Sequence, residues 1–159
     1  MKTISALRPL AAISAVALSF HALAADFPKT GQAEFDTSAV VRNLATIDGG
    51  AGQGGVDDYT GITRNVKGDA PFNDTSVRCL EQWTSINREF KVDGSCVLTD
   101  KDGDNILTTF RSGGFTLAGG TGKYKGITGG GPITVTRLHD AAGGLISLVG
   151  HHKVTWEIK

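Results

Sequence analysis

The stretch Ile146-Ser147-Leu148-Val149-Gly150-His151-His152-Lys153-Val154-Thr155-Trp156-Glu157-Ile158 has the two-residue period of a half-buried β-strand. Counting from Ile146, alternate positions are Leu148, Gly150, His152, Val154, Trp156 and Ile158, a nearly continuous apolar face. Ser147, His151, Lys153, Thr155 and Glu157 form the other face, which is directed at solvent. His152 then points inward as a titratable imidazole among apolar neighbours, unless Gly150 marks a bulge that exchanges it with His151.

Upstream the same kind of segment recurs. Runs rich in Val, Ile, Thr and aromatic residues predict strands over Phe35–Thr46, Tyr59–Lys67, Ser76–Ile86, Phe90–Leu98, Asn105–Phe110, Phe115–Ala118 and Ile133–Leu138, with the last strand over Leu145–Ile158. Glycine clusters separate them, at Gly49–Gly55, Gly113-Gly114, Gly119-Gly120, Gly129–Gly131 and Gly143-Gly144, and these read as turns. All 22 glycines fall after residue 24, a density that helices do not tolerate. One window rivals the all-β reading: Phe72–Asp93 lacks glycine and spaces Val77, Leu80, Trp83 and Phe90 as a helix could.

Eight strands can close into an antiparallel barrel, which removes exposed edges and leaves an interior that side chains fill or one small ligand occupies. A two-sheet sandwich fits the same strand count. Periodicity does not separate the two.

The N-terminus carries Lys2 and Arg8, then an apolar stretch from Leu10 to Phe20, and ends in Ala22-Leu23-Ala24. That is the pattern of an export signal over residues 1–24, with cleavage after Ala24 and a periplasmic or secreted product. The apolar run is too short to span a bilayer of about 30 Å as a helix, and no later stretch is longer, so no stable membrane insertion is expected. Residues 25–159 amount to a single domain with 14 basic and 16 acidic residues, a charge of −2 that excludes the basic excess of a nucleic-acid binder. Cys79 and Cys96 both remain in that domain, and in an oxidising compartment they are expected to pair. Two free thiols or a redox pair are the alternatives, although sixteen intervening residues are far from the spacing redox motifs use.

The segment Gly119-Gly120-Thr121-Gly122-Lys123-Tyr124-Lys125-Gly126-Ile127-Thr128-Gly129 resembles the GGTGxF/YxGxxG turn of the allene oxide cyclase and dirigent-like barrels, including exported bacterial members. The preceding Cys96-Val97-Leu98-Thr99-Asp100-Lys101-Asp102-Gly103-Asp104 is similar to a C-x-x-T-D-x-D-G-D stretch of those bacterial proteins. The resemblance implies a β-barrel. It spans several roles: an isomerase that cyclises a fatty-acid epoxide, proteins that steer radical coupling, and members of unknown role. Read on its own, the glycine-rich segment is a structural corner anchored by Tyr124 and Ile127. A phosphate cradle would need a following helix and a Lys-Ser/Thr pair.

Candidate chemistry is sparse. His152 is a possible proton shuttle or a core histidine satisfied by a backbone carbonyl. Glu81 and Trp83 share the face of Cys79, so Glu81, near Tyr59 or Arg88, could bind or ionise a substrate, or could be a solvent-side charge. His152, Glu81 and Tyr59 are the catalytic candidates, and Trp83, Leu148, Val154 and Trp156 the candidates to line a ligand-holding interior. Asp100, Asp102 and Asp104 open like a calcium loop, but Asn105 and Arg111 replace the glycine and glutamate such a loop requires, which favours a bare Asx-type turn. His139, His151 and His152 are not spaced to converge on zinc. No cofactor is implied, and no Gly-x-Ser-x-Gly elbow supports a hydrolase. Asn73-Asp74-Thr75 is a formal glycosylation sequon.

Three functions follow as alternatives: a barrel binding a small apolar, lipid-like molecule; an isomerase or cyclase acting on a lipid-like or polyketide-like substrate; and a structural protein of the cell envelope. An open interior lined by a carboxylate or by His152 would favour the enzyme, and a solid one would exclude the first two.

Overall fold

A computed structural model of the chain describes residues 27–65, 67, 71–141 and 143–159. The expected export signal over residues 1–24 lies outside the described residues. Among those described, eight strands form one closed barrel in sequence order: β1 (Thr30–Asp48), β2 (Gly52–Asn65), β3 (Ser76–Ile86), β4 (Glu89–Thr99), β5 (Asn105–Arg111), β6 (Gly114–Gly120), β7 (Ile127–Arg137) and β8 (Ile146–Ile158). Every neighbouring pair is antiparallel, and β1 closes the ring against β8. The barrel, not the sandwich, is therefore the fold. No described helix is long and apolar enough to cross a membrane.

The alternation read in β8 orients its side chains. Val154 and Trp156 are buried, Lys153, Thr155 and Glu157 are exposed, and the β1–β8 register runs unbroken through Thr37↔Gly150. Gly150 makes no bulge against β1, so His152 faces inward. The helix considered over Phe72–Asp93 does not form. Val77, Leu80 and Trp83 belong to β3 and Phe90 to β4, joined by a two-residue turn in which Asn87 and Arg88 both have positive φ, the backbone a tight hairpin needs.

Glycines of three clusters read as turns lie inside strands: Gly52–Gly55 in β2, Gly119-Gly120 at the end of β6 and Gly129–Gly131 in β7. β2 starts at Gly52, seven residues before the expected Tyr59, and β7 starts at Ile127 and contains Gly129–Gly131. The cause is crowding. A Cβ on Gly55 would stand 2.7 Å from the Trp83 indole, and one on Gly129 would stand 2.1 Å from the Thr155 carbonyl oxygen. These positions need a missing side chain, not a bend.

The disulfide forms between Cys79 and Cys96, which face each other across β3 and β4. Its closed loop corresponds to about 3 kcal/mol on the chain-entropy view.

The barrel has two unlike ends. Hairpins β1–β2, β3–β4, β5–β6 and β7–β8 surround one. At the other lie the chain before β1, the β2–β3 and β4–β5 connections and the 3-10 turn Gly122–Tyr124. That second end is filled by aromatic and large aliphatic side chains. Phe72 stacks on Phe35 with ring centroids 4.9 Å apart, Phe27 meets Tyr124 edge-on, and Trp156 donates its indole N–H to the Pro28 carbonyl. Ile106, Leu117 and Ile127 complete this plug. Tyr124 and Ile127, the anchors expected of the glycine-rich corner, are both buried in it.

Candidate functional site

Towards the hairpin end the barrel is hollow. A cavity of about 700 Å³ opens between the hairpins and reaches down to Phe35, Phe72, Phe115 and His152. That volume lies within the range of small-molecule sites.

The two walls of the cavity differ. Strands β4 to β7 supply Val92, Cys96, Leu98, Phe110, Phe115, Ile133 and Val135, with Thr108 the polar residue among them and Arg111 and Arg137 at the strand ends beside the hairpins. Strands β1 to β3 set Thr37, Asn43, Asp57, Tyr59 and Glu81 among Val41, Val77 and Trp83, and His152 on β8 continues the polar series. Asp57 and Glu81 are direct partners in the β2–β3 ladder, so two carboxyl groups face the same interior side by side. Asn43 donates its side-chain N–H to Asp57 at 2.7 Å, and Thr46 donates its hydroxyl to Asn43 at 3.0 Å. Asn43 continues the inward face of Thr37 and Val41, and Thr46 joins it because a bulge in β1 between Asn43 and Ala45 leaves Leu44 unpaired and reverses the alternation.

Burial, and then the neighbouring Asp57 carboxylate, push the Glu81 pKa up to about 7. The cavity therefore holds a carboxyl group that is partly protonated at neutral pH. Tyr59 is raised well above its ordinary value by burial and by Glu81, against the opposing effect of a hydrogen bond with Thr37. His152 stacks on Phe35 at 4.4 Å and meets Phe115 edge-on at 5.2 Å, and its Nε2 lies 3.0 Å from the Thr37 hydroxyl. Burial and the nearby His151 lower its pKa to about 4, outweighing the pull of Asp36, so the imidazole is neutral. Its Nδ1 is buried with no hydrogen-bond partner. A neutral ring held between phenyl groups is suited to packing and to fixing Thr37 more than to carrying protons.

All three catalytic candidates, His152, Glu81 and Tyr59, line the cavity. Of the ligand-lining candidates, Trp83 and Leu148 do so too, and Trp83 stacks on Phe90 at the mouth. Val154 and Trp156 do not. They sit farther along the same inward face, in the plug, where the Trp156 ring lies directly over Gly31. Arg88 stands at the tip of the β3–β4 hairpin, away from the cavity lining. Asp57, Thr37 and Asn43 were not singled out from the sequence. Extending the alternation of β2 backwards from Tyr59 would have placed Asp57 on the inner face.

The aspartate-rich turn lies at the closed end. Asp100 Oδ1 accepts from the backbone N–H groups of Asp102 and Asp104, the Asx geometry expected of such a turn. The Lys123 ammonium sits 2.6 Å from Asp100 and 2.5 Å from Asp102, and Tyr124 donates its hydroxyl to Asp100 at 2.9 Å. Burial alone would raise the Asp100 pKa, but the hydrogen bonds from Lys123, Tyr124 and the turn's backbone outweigh it and hold the carboxyl below its usual range. A lysine thus occupies the centre where a cation would bind. No group of three His, Cys, Asp or Glu side chains disposed to hold a metal occurs among the described residues.

Fold and cavity together define a closed up-and-down barrel, plugged at one end and open at the other, with a polar and an apolar inner wall. Among solved structures the chain is similar to a pterocarpan synthase dirigent protein at 14% sequence identity and a TM-score of 0.49, over 84% of this chain and 94% of that one. No protein-family model and no curated protein matches the sequence.

Proposed function

We propose that this domain is exported after loss of residues 1–24 and binds a small, mostly apolar molecule that carries at least one hydrogen-bonding group. The observation behind this reading is the division of the cavity walls. The ligand's apolar body would lie against Phe110, Ile133 and Val135, and its polar group would meet Glu81, Tyr59 and Asp57. The disulfide fits an oxidising compartment. Leu148 lines the cavity on β8, and Leu148→Trp would fill space there while leaving Glu81, Tyr59 and Asp57 in place. Saturable uptake of an environment-sensitive apolar dye is expected for the native domain and a loss of affinity of at least tenfold for Leu148→Trp, read by fluorescence titration. Equal uptake by both would place the dye elsewhere and overturn the reading.

A second reading, an isomerase or cyclase on a lipid-like or polyketide-like substrate, is favoured by Glu81 itself. A carboxyl group protonated near neutrality can donate a hydrogen bond or a proton to a substrate oxygen, while the apolar wall holds the chain folded. The hollow interior favours both readings over a purely structural role.

A further inference from the structure

The end of the barrel that would admit a ligand is ringed by apolar side chains that the fold leaves uncovered. Ile47 beside the first hairpin turn is 76% exposed, and Ile86 and Phe90 flanking the second turn are 52% and 59% exposed. Leu138 follows β7 at 45%, and Leu44, put out of the ladder by the β1 bulge, is 54% exposed. Phe90 and Val135 are both exposed and part of the cavity lining, so the ring and the apolar wall are one continuous surface.

The opposite end has the reverse character. Its turns carry the Asp100, Asp102 and Lys123 cluster, and its aromatic residues Phe72 and Tyr124 are buried. Among the described residues, none of the exposed large apolar side chains lies in the turns of that end.

Charge adds a second, independent indication. At the open end Lys91 pairs with Glu89 and Arg137 with Asp140. Arg88 at the second hairpin tip makes no ion pair among the described residues, and Arg111 at the end of β5 makes none either, although it stands opposite Asp93 in the β4–β5 ladder. Unpaired guanidinium groups beside an apolar ring match the layering of a lipid surface, with anionic head groups above hydrocarbon.

We infer that the open end docks on a lipid bilayer bearing anionic head groups, and that the barrel exchanges its ligand with that bilayer across the apolar ring. The inference rests on the cavity being an apolar binding site. Its physical advantage is direct: a greasy ligand that leaves the mouth into water must expose its whole surface, whereas one that leaves into a docked bilayer does not.

Two measurements on the native domain and on a triple variant, Ile47→Ser, Ile86→Ser and Leu138→Ser, test it. None of these three residues lines the cavity, and all three are surface positions. In flotation with vesicles of phosphatidylcholine and phosphatidylglycerol, the empty native domain is expected to float with the lipid and the variant to stay behind. In stopped-flow transfer of a fluorescent fatty acid from the loaded domain to the same vesicles, the native rate is expected to rise with vesicle concentration. The variant's rate should be about tenfold slower and independent of it, with its affinity for the fatty acid unchanged. Failure of the empty native domain to float, or a native transfer rate indifferent to vesicle concentration, overturns the docking. So does a native dimer that the three substitutions disperse, since the ring would then be covered by a second copy. Loss of fatty-acid uptake with flotation intact would instead sink the cavity reading and leave the docking standing.

Discussion

Replacing Phe72 by alanine is expected to cost about 3–5 kcal/mol. Phe72 comes from the β2–β3 connection, is 1% exposed, stacks on Phe35, and meets Trp156 edge-on with ring centroids 5.9 Å apart. It is also held at φ 65°, a left-handed backbone that a bulky residue avoids. A connection that keeps a phenylalanine there does so because the ring fills the end of the barrel. Alanine retains the unfavourable backbone and removes the ring, while leucine retains most of the volume and should cost much less. Denaturant unfolding with an unchanged slope checks both values. A loss of under 1 kcal/mol for alanine would mean that this aromatic cluster does not close the end.

The second large effect is in the pH dependence of stability. His152 has a folded pKa of about 4 against 6.5 for the free side chain, so between those values the unfolded chain holds more protons and stability rises with pH. Glu81 works in the other direction. Its folded pKa of about 7 stands above the ordinary 4.5, the folded chain holds more protons in that window, and stability falls as pH rises. The two slopes overlap between pH 4.5 and 6.5 and largely offset each other in the native protein. Removing either should unmask the other. Glu81→Gln is expected to become more stable by roughly 3 kcal/mol between pH 4 and 6.5. His152→Gln should lose stability from pH 4.5 to 7, by a smaller amount because Glu81 is partly screened by solvent. Melting temperatures at several pH values read both. If Glu81→Gln and the native protein keep parallel profiles, the carboxyl is not held in its neutral form.

The parts of this fold legible from sequence are those set by local alternation. β8 could be read residue by residue because its polar and apolar faces are both unambiguous, and the same reading put His152 inside. The eight strands and the disulfide followed from spacing and composition. The misplaced strand ends have a common cause in glycine, which marks a turn in one place and a crowded interior in another. Gly55 lies under Trp83, and Gly129 lies against the backbone of β8, yet nothing local distinguishes them from the turn glycines Gly103 and Gly113. Truncating β2 at Tyr59 then hid Asp57, and with it the carboxyl pair. Phe72 was assigned to a possible helix because its role depends on Phe35 and Trp156, which lie far away in the chain. The bulge at Leu44, which brings Thr46 to the same interior as Asn43, leaves no trace in the pattern of a single strand.

The chain's two tryptophans give the most direct test of the hollow, one-ended barrel, because Trp83 lines the cavity mouth and Trp156 is packed in the plug. Titrating a brominated fatty acid into Trp156→Phe, in which only Trp83 fluoresces, should quench the emission saturably. The same titration into Trp83→Phe should leave the Trp156 emission nearly unchanged. Equal quenching of both tryptophans, or of neither, would contradict a cavity open at one end and sealed at the other.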